Sequence, residues 1–190
     1  MHWYSSDFHF GHAKILEYDN RPFATIEEMN EEIVNRFNEV VKPDDELFYL
    51  GDFALGLNGQ IDKIYEYRSR FNCKHWRYVL GNHDDLIKKN EERLLADRVF
   101  DSIEYYMEIK ENKKKMVLSH CPFLTWNGAN HGSWCVHGHC HHNLQPDPYS
   151  LRVDVGVNGW NYYPVSFEQI ADYMRNKQYR PVDHHSVGVW

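Results

Sequence analysis

No apolar run in this sequence approaches the roughly 20 residues that cross a bilayer as a helix. The longest candidate, residues 47–57, is interrupted by Asp52. A membrane-spanning helix is therefore not expected, and with no basic, apolar leader at the start, export is not expected either. Cationic residues are scarce: 21 Lys and Arg face 28 Asp and Glu, a net charge of −7. Proteins that grip duplex nucleic acid carry the opposite sign, so stable duplex binding is not expected. Four cysteines in 190 residues are too few for a disulfide frame and read as the free thiols of a cytoplasmic protein. No repeat, Pro-rich linker or composition break divides the chain, which reads as one domain over residues 1–190.

Histidine, in contrast, is abundant, with 13 copies. Around it the pattern alternates between strand and helix. Short apolar runs at residues 3–6, 47–50, 76–80, 103–109, 116–118, 134–137 and 151–157 read as strands. Residues 111–115, Glu-Asn-Lys-Lys-Lys, read as a hairpin turn between two of them. Helical spacing follows Thr25 (Met29, Ile33, Phe37, Val40), where Thr25 and Glu28 fit a capping box. Further helices are expected over 61–71, 85–96 and, from a second box at Ser166 and Gln169, up to about 176. Residues 180–190 read as irregular. This order points to a layered α/β domain.

Five short signals occur in sequence: Asp7-Phe8-His9, Gly51-Asp52, Gly81-Asn82-His83-Asp84, His120 and Gly138-His139-Cys140-His141. Imidazole nitrogen, carboxylate oxygen and amide oxygen all bind divalent cations. In extended chain, residues i and i+2 share a side, so Asp7 with His9, and His139 with His141, can each reach one site. Asp7, Asp52, Asn82 and His139 each follow a predicted strand, where α/β domains assemble their sites. The glycines before three of them are expected to permit sharp turns. Seven ligands serve two metals if Asp52 is shared, and such a pair can clamp a phosphoryl group.

This ordered set, D-x-H, G-D, G-N-H-[DE], H and G-H-x-H, resembles the calcineurin-like metallophosphoesterase superfamily, over residues 7–141. The runs Asp7-Phe8-His9-Phe10-Gly11-His12 and Asn20-Arg21-Pro22-Phe23, with Gly159-Trp160-Asn161-Tyr162, are similar to a branch of small bacterial and phage phosphoesterases. The resemblance implies a four-layer αββα sandwich, α/β of α+β type, in which two mixed sheets are flanked by helices. It implies Asp7, His9, Asp52 and His141 around one metal, Asp52, Asn82, His120 and His139 around the other, and attack by a hydroxide bridging them. His83 resembles the family histidine that binds the phosphoryl group and protonates the leaving oxygen. Manganese is the first choice of cation, with iron, zinc, nickel or cobalt as alternatives. Gly51-Asp52 continues into Phe53-Ala54-Leu55-Gly56, without the D-R-G extension of the protein phosphatase branch. A small phosphorylated substrate, such as a nucleotide, is the expected partner. A phosphodiester is preferred to a monoester, and a non-catalytic metal-binding scaffold is the rival from another class.

Other residues have competing readings. His12 is a candidate substrate contact or a surface residue, and Arg21 a phosphate clamp or the partner of a surface carboxylate. Asp84 caps the following helix or does more. His137 reads as structural, and His131, His142, His184 and His185 as surface residues. Cys135 and Cys140 lie among imidazoles but lack paired C-x-x-C units, which argues against structural zinc, and Cys121 and Cys140 read as small buried thiols. Lys113–Lys115 read as a solvated hairpin tip. Trp126, Trp134, Trp160, Tyr162 and Tyr163 are core residues by default, with stacking on a nucleobase as the alternative.

Overall fold

The computed structural model describes residues 1–182; His184 and His185, with the rest of the expected irregular tail from 183 onward, lie outside the described residues. The strands alternate inside and outside as pleated backbone requires. In β1 (His2–Ser5), β2 (Glu46–Tyr49) and β3 (His75–Val79), the side chains of Trp3, Leu47, Tyr49, Trp76 and Tyr78 face one apolar cluster. Tyr4, Phe48 and Val79 face a second. A sheet with two apolar faces has to be covered on both.

Helices cover the first face. These are α1 (Ile15–Tyr18), α2 (Ile26–Val40), α3 (Asp62–Ser69), α4 (Asp85–Lys89) and α5 (Glu91–Ala96). Met29, Ile33 and Phe37 of α2, Ile64 of α3, Ile87 of α4 and Leu94 of α5 enter that cluster. A second sheet covers the other face: β5 (Tyr106–Glu111), β6 (Lys114–Ser119), β7 (Trp134–His137) and β8 (Arg152–Asp154). Its Met116, Leu118, Val136 and Val153 share the inner cluster with Phe167, Ile170 and Met174 of α6 (Phe167–Arg175). The first sheet also holds β4 (Ser102–Glu104) and β9 (Val165–Ser166), in the order β4-β3-β2-β1-β9. Its first four strands are parallel and β9 is antiparallel. The second sheet runs β5-β6-β7-β8, antiparallel only between β5 and β6. Two mixed sheets with helices are the expected architecture.

Several boundaries differ from expectation for identifiable reasons. The apolar stretch 103–109 is not one strand: Tyr105 separates β4, in the first sheet, from β5, in the second. The helix expected over 85–96 is two, broken at Asn90, whose side-chain amide donates to the Leu86 carbonyl at 2.8 Å. Strand β8 is shorter than expected, and residues 157–160 form a 3-10 turn. The hairpin between β5 and β6 turns on Asn112 and Lys113, both at positive φ (46° and 68°), the backbone that suits a two-residue hairpin. Lys113 is at the tip, but Lys114 reaches the Gly132 carbonyl and Lys115 pairs with Glu108. The box at Ser166 is complete. At Thr25 only half of it forms: Thr25 accepts from Glu28 N–H, and the Glu28 carboxylate takes the Ala24 N–H instead.

Beneath the end of β1 the packing is aromatic. Phe8 is enclosed by Phe10, Tyr49, Phe53, Phe71 and Trp76, with ring centroids 4.7 to 6.5 Å away. Its N–H donates to the Tyr49 hydroxyl at 3.0 Å. Phe8→Ala is expected to cost about 3–5 kcal/mol in urea unfolding, because the cavity is lined by rings that cannot collapse into it.

Candidate metal centre

All five signals meet at the C-terminal ends of parallel strands. Asp7 and His9 follow β1, Asp52 follows β2, Asn82 follows β3, His120 follows β6, and His139 and His141 follow β7. Sharp backbone bends bring them inward. Asp7, His9, Asp52, His139 and His141 have φ of 61°, 56°, 58°, 69° and 48°, a region that side chains seldom occupy. The glycines act differently from expectation. Gly51 alone of the three has positive φ (92°). Gly81 is required by close approach, since a Cβ there would lie 2.2 Å from Asp52 Oδ1.

The donors fall into two nests that share Asp52. Asp52 Oδ2 lies 3.6 Å from His9 Nε2 and 3.4 Å from His120 Nε2. On one side, His9 Nε2 is 3.3 Å from His141 Nε2, which is 3.6 Å from Asp7 Oδ1. On the other, Asn82 Oδ1 lies 3.0 Å from His120 Nε2 and 2.9 Å from His139 Nδ1. Ligand atoms of Asp7, His9 and His141 all lie within 4.8 Å of one another, and so do those of Asp7, Asp52 and His120. All seven residues read from the sequence as ligands are thus gathered in one cluster. His83 is at its exposed rim, ring centroid 5.8 Å from that of His9, with its N–H donating to Asp52 Oδ1 at 2.9 Å. His12, half-buried, has its ring 5.6 Å from His9. Exposed Cys121, not the buried thiol expected, has Sγ within 4.8 Å of ligand atoms of His120 and His139.

The donor set fits divalent cations. Burial, partly offset by the Asp52 carboxylate, pushes His9 down to about 2, so its imidazole is neutral and keeps a lone pair. Burial raises Asp7 to about 6, against the pull of His141 and His120. Asp52 is lowered to about 2, because His120, the His83 N–H and His9 outweigh its burial. At His120 burial is likewise overcome, by Asp52 and Asp7, and the group rises to about 9. Below about pH 6 a proton on Asp7, and below about pH 9 one on His120, thus occupy a cluster whose oxygens and nitrogens are those that hard and borderline cations prefer.

Four groups position the candidate ligands, and the sequence did not reveal how. Arg21, a candidate substrate contact, is fully enclosed. Its guanidinium donates to the main-chain carbonyls of Phe8 and Asp7 at 3.0 and 2.8 Å, so it braces the Asp7-His9 turn and cannot clamp a phosphate. Asp19, not singled out from the sequence, accepts the Nδ1–H of His141 and lies 3.5 Å from Arg21. Burial would raise its carboxyl, but the His141 contact wins and lowers it. A carboxylate behind a histidine fixes the tautomer and aims the other nitrogen at the metal. The Leu50 carbonyl does the same for His120, accepting from Nδ1 at 2.7 Å. Asp84 makes no side-chain cap to α4; it accepts the N–H groups of Asp52, Phe53 and Gly81 and ties two ligand loops together. Trp126, Trp134 and Tyr162 are buried and offer no stacking platform.

Two predictions follow from these contacts. Asp19→Asn is expected to weaken metal binding about 10–100-fold while leaving the fold intact, as titration against a competing chelator will show. Metal binding is expected to release protons and to tighten as pH rises from 5 toward 9, because Asp7 and His120 must lose theirs. Calorimetry in buffers of different ionisation enthalpy reads this directly.

Comparison with known proteins agrees with this geometry. The calcineurin-like phosphoesterase family matches residues 3–185. The uncharacterized protein MJ1445 of Methanocaldococcus jannaschii is 34% identical over 171 residues, 87% of this chain and 86% of that one. The gene 66 protein of Mycobacterium phage L5 is 27% identical over 194 residues, 90% and 92% of the two chains. Among solved structures, AQ665 from Aquifex aeolicus has a TM-score of 0.67 at 24% identity, over 91% of this chain and 98% of that one. A novel archaeal phosphodiesterase has a TM-score of 0.50 at 16% identity, over 84% and 86%. Both are likenesses of fold. With the family match and the archaeal relative together, this chain belongs to the calcineurin-like phosphoesterase family of metal-dependent hydrolases.

Proposed function

We propose that the protein hydrolyses a phosphodiester of a nucleotide or other small molecule. In this reading Asp7, His9, Asp52 and His141 hold one divalent cation, manganese as first choice, and Asp52, Asn82, His120 and His139 hold a second. Asp52 carries the reading, because one carboxylate oxygen within 3.6 Å of both His9 and His120 suits a shared ligand. Bound there, the cations would neutralise phosphoryl charge and supply a hydroxide nucleophile near neutral pH.

The chain's own groups do the rest. Asp52 fixes His83 through its main-chain N–H, leaving the exposed imidazole at the rim to give a ring proton to the leaving oxygen. His12, whose pKa is lowered by burial and then by His83 and Arg21, stays neutral and suits a hydrogen bond to a non-bridging phosphoryl oxygen. Arg21 is engaged by main-chain carbonyls, which removes its clamp reading, and His12 and His83 flank His9 instead. That favours a singly charged diester over a dianionic monoester.

The test is protein stripped with chelator, reloaded with manganese and assayed on bis-p-nitrophenyl phosphate and p-nitrophenyl phosphate. Metal-restored turnover favouring the diester is expected. A preference for the monoester would replace the diester reading, and inert protein with both cations bound would support a scaffold. His83→Ala is expected to lower turnover by about a hundredfold or more at unchanged metal content. Asp52→Asn is expected to lose metal as well as turnover, which separates binding from proton transfer.

A further inference from the structure

A second group of donors lies outside this cluster. Ligand atoms of His137, Cys140 and Asp154 are all within 4.8 Å of one another, and His142 Nε2 is 3.8 Å from Asp154 Oδ1. These residues come from the end of β7, the loop after it and the end of β8. Gly156 stands between Asp154 and the first cluster: a Cβ there would lie 2.9 Å from Asp154 Oδ1 and 2.8 Å from Asp7 Oδ2.

The donors are held in place before any cation arrives. His137 is buried, and its Nδ1–H donates to the Gly138 carbonyl at 2.9 Å, which leaves Nε2 as the lone-pair nitrogen. The same carbonyl accepts the Cys140 N–H at 2.8 Å, so one oxygen aims two donors. Asp154 accepts from Gly156 N–H on Oδ1 at 2.8 Å and from His142 N–H on Oδ2 at 3.0 Å. The His142 ring lies directly over Gly159, where a Cβ would come within 2.0 Å of it. A cavity of about 100 Å³ opens against His137, His142 and Asp154 and gives an ion a way in.

We infer that His137, Cys140 and Asp154, with His142 as fourth donor, form a separate zinc-type cation site beside the phosphoesterase cluster. Two imidazoles, a thiolate and a carboxylate make a four-coordinate set of the kind zinc accepts, and thiolate excludes magnesium and calcium. Thiolate and carboxylate together balance the ion's two charges. Donors around a tetrahedral zinc lie roughly 3.5 Å apart, so His137, Cys140 and Asp154, within 4.8 Å of one another, need close by no more than about 1.3 Å on binding. Cys135, the other cysteine in this stretch, is buried in β7 and takes no part. The ion would pin the loop that carries His139 and His141 to the end of β8.

Cobalt reconstitution tests this, because a thiolate ligand gives a near-ultraviolet charge-transfer band that oxygen and imidazole ligands do not. The full chain, stripped and reloaded, is expected to take up three ions, with a band that Cys140→Ser removes and Cys121→Ser and Asp52→Asn keep. In the unsubstituted protein, zinc is expected to protect Cys140 from alkylation, read by peptide mass spectrometry. Failure of the phosphoesterase cluster alone would leave one ion per chain with the band present. Saturation at two ions without a band, loss of the band in Cys121→Ser or Asp52→Asn, or equal alkylation of Cys140 with and without zinc would each overturn the assignment.

Discussion

Asp7 accepts the main-chain N–H of His139 on both carboxylate oxygens, at 3.2 and 3.0 Å, and so joins the loop after β1 to the loop after β7. Those loops belong to different sheets. Two candidate ligand pairs that span the cluster, His9 with His141 and Asn82 with His139, depend on that junction. The carboxylate is fully buried and takes a third hydrogen bond from Ser6, and its own N–H donates to the Gly51 carbonyl. A buried anion without such partners would be costly. Here the partners are the elements that must be brought together.

The bends that aim the ligands are unfavourable on their own account. A residue other than glycine held at positive φ costs of order 1 kcal/mol or more, and five of the seven candidate ligand positions are so held. Packing and bracing below the loops offset this. Phe8, between Asp7 and His9, is locked among aromatic rings, and Arg21 takes the carbonyl oxygens that the turn leaves pointing inward. Asp84 does the same for the N–H groups of the next two loops. The rigid layer under the site and the strained layer within it are parts of one design.

The buried charges are arranged by sign. Arg21 is an enclosed cation near Asp19 and Asp7, and Asp19 is the anion behind His141. That chain gives His141 a fixed tautomer and keeps the guanidinium from remaining uncompensated. It also explains why a cation beside the candidate site is turned inward: its carbonyl partners lie beneath the loop, on the core side.

Sequence alone determined the donor types, their order and their place at strand ends, because these are local properties: a strand run, a bend, then a histidine or an acid. The apolar runs also marked β1 to β3 as strands, while the two sheets flanked by helices were legible only through the family resemblance. Sequence alone did not determine what distant residues do for one another. Arg21 and Asp84 had only clamp, surface or cap readings and Asp19 had none, since their real partners are main-chain atoms and a histidine up to 122 positions away. The split of residues 103–109 between two sheets was equally hidden, because both halves are apolar in the same period and only strand pairing separates them. The tertiary structure alone decided which donors meet, since that depends on how the sheet that carries β1 to β3 is placed on the sheet that carries β6 and β7.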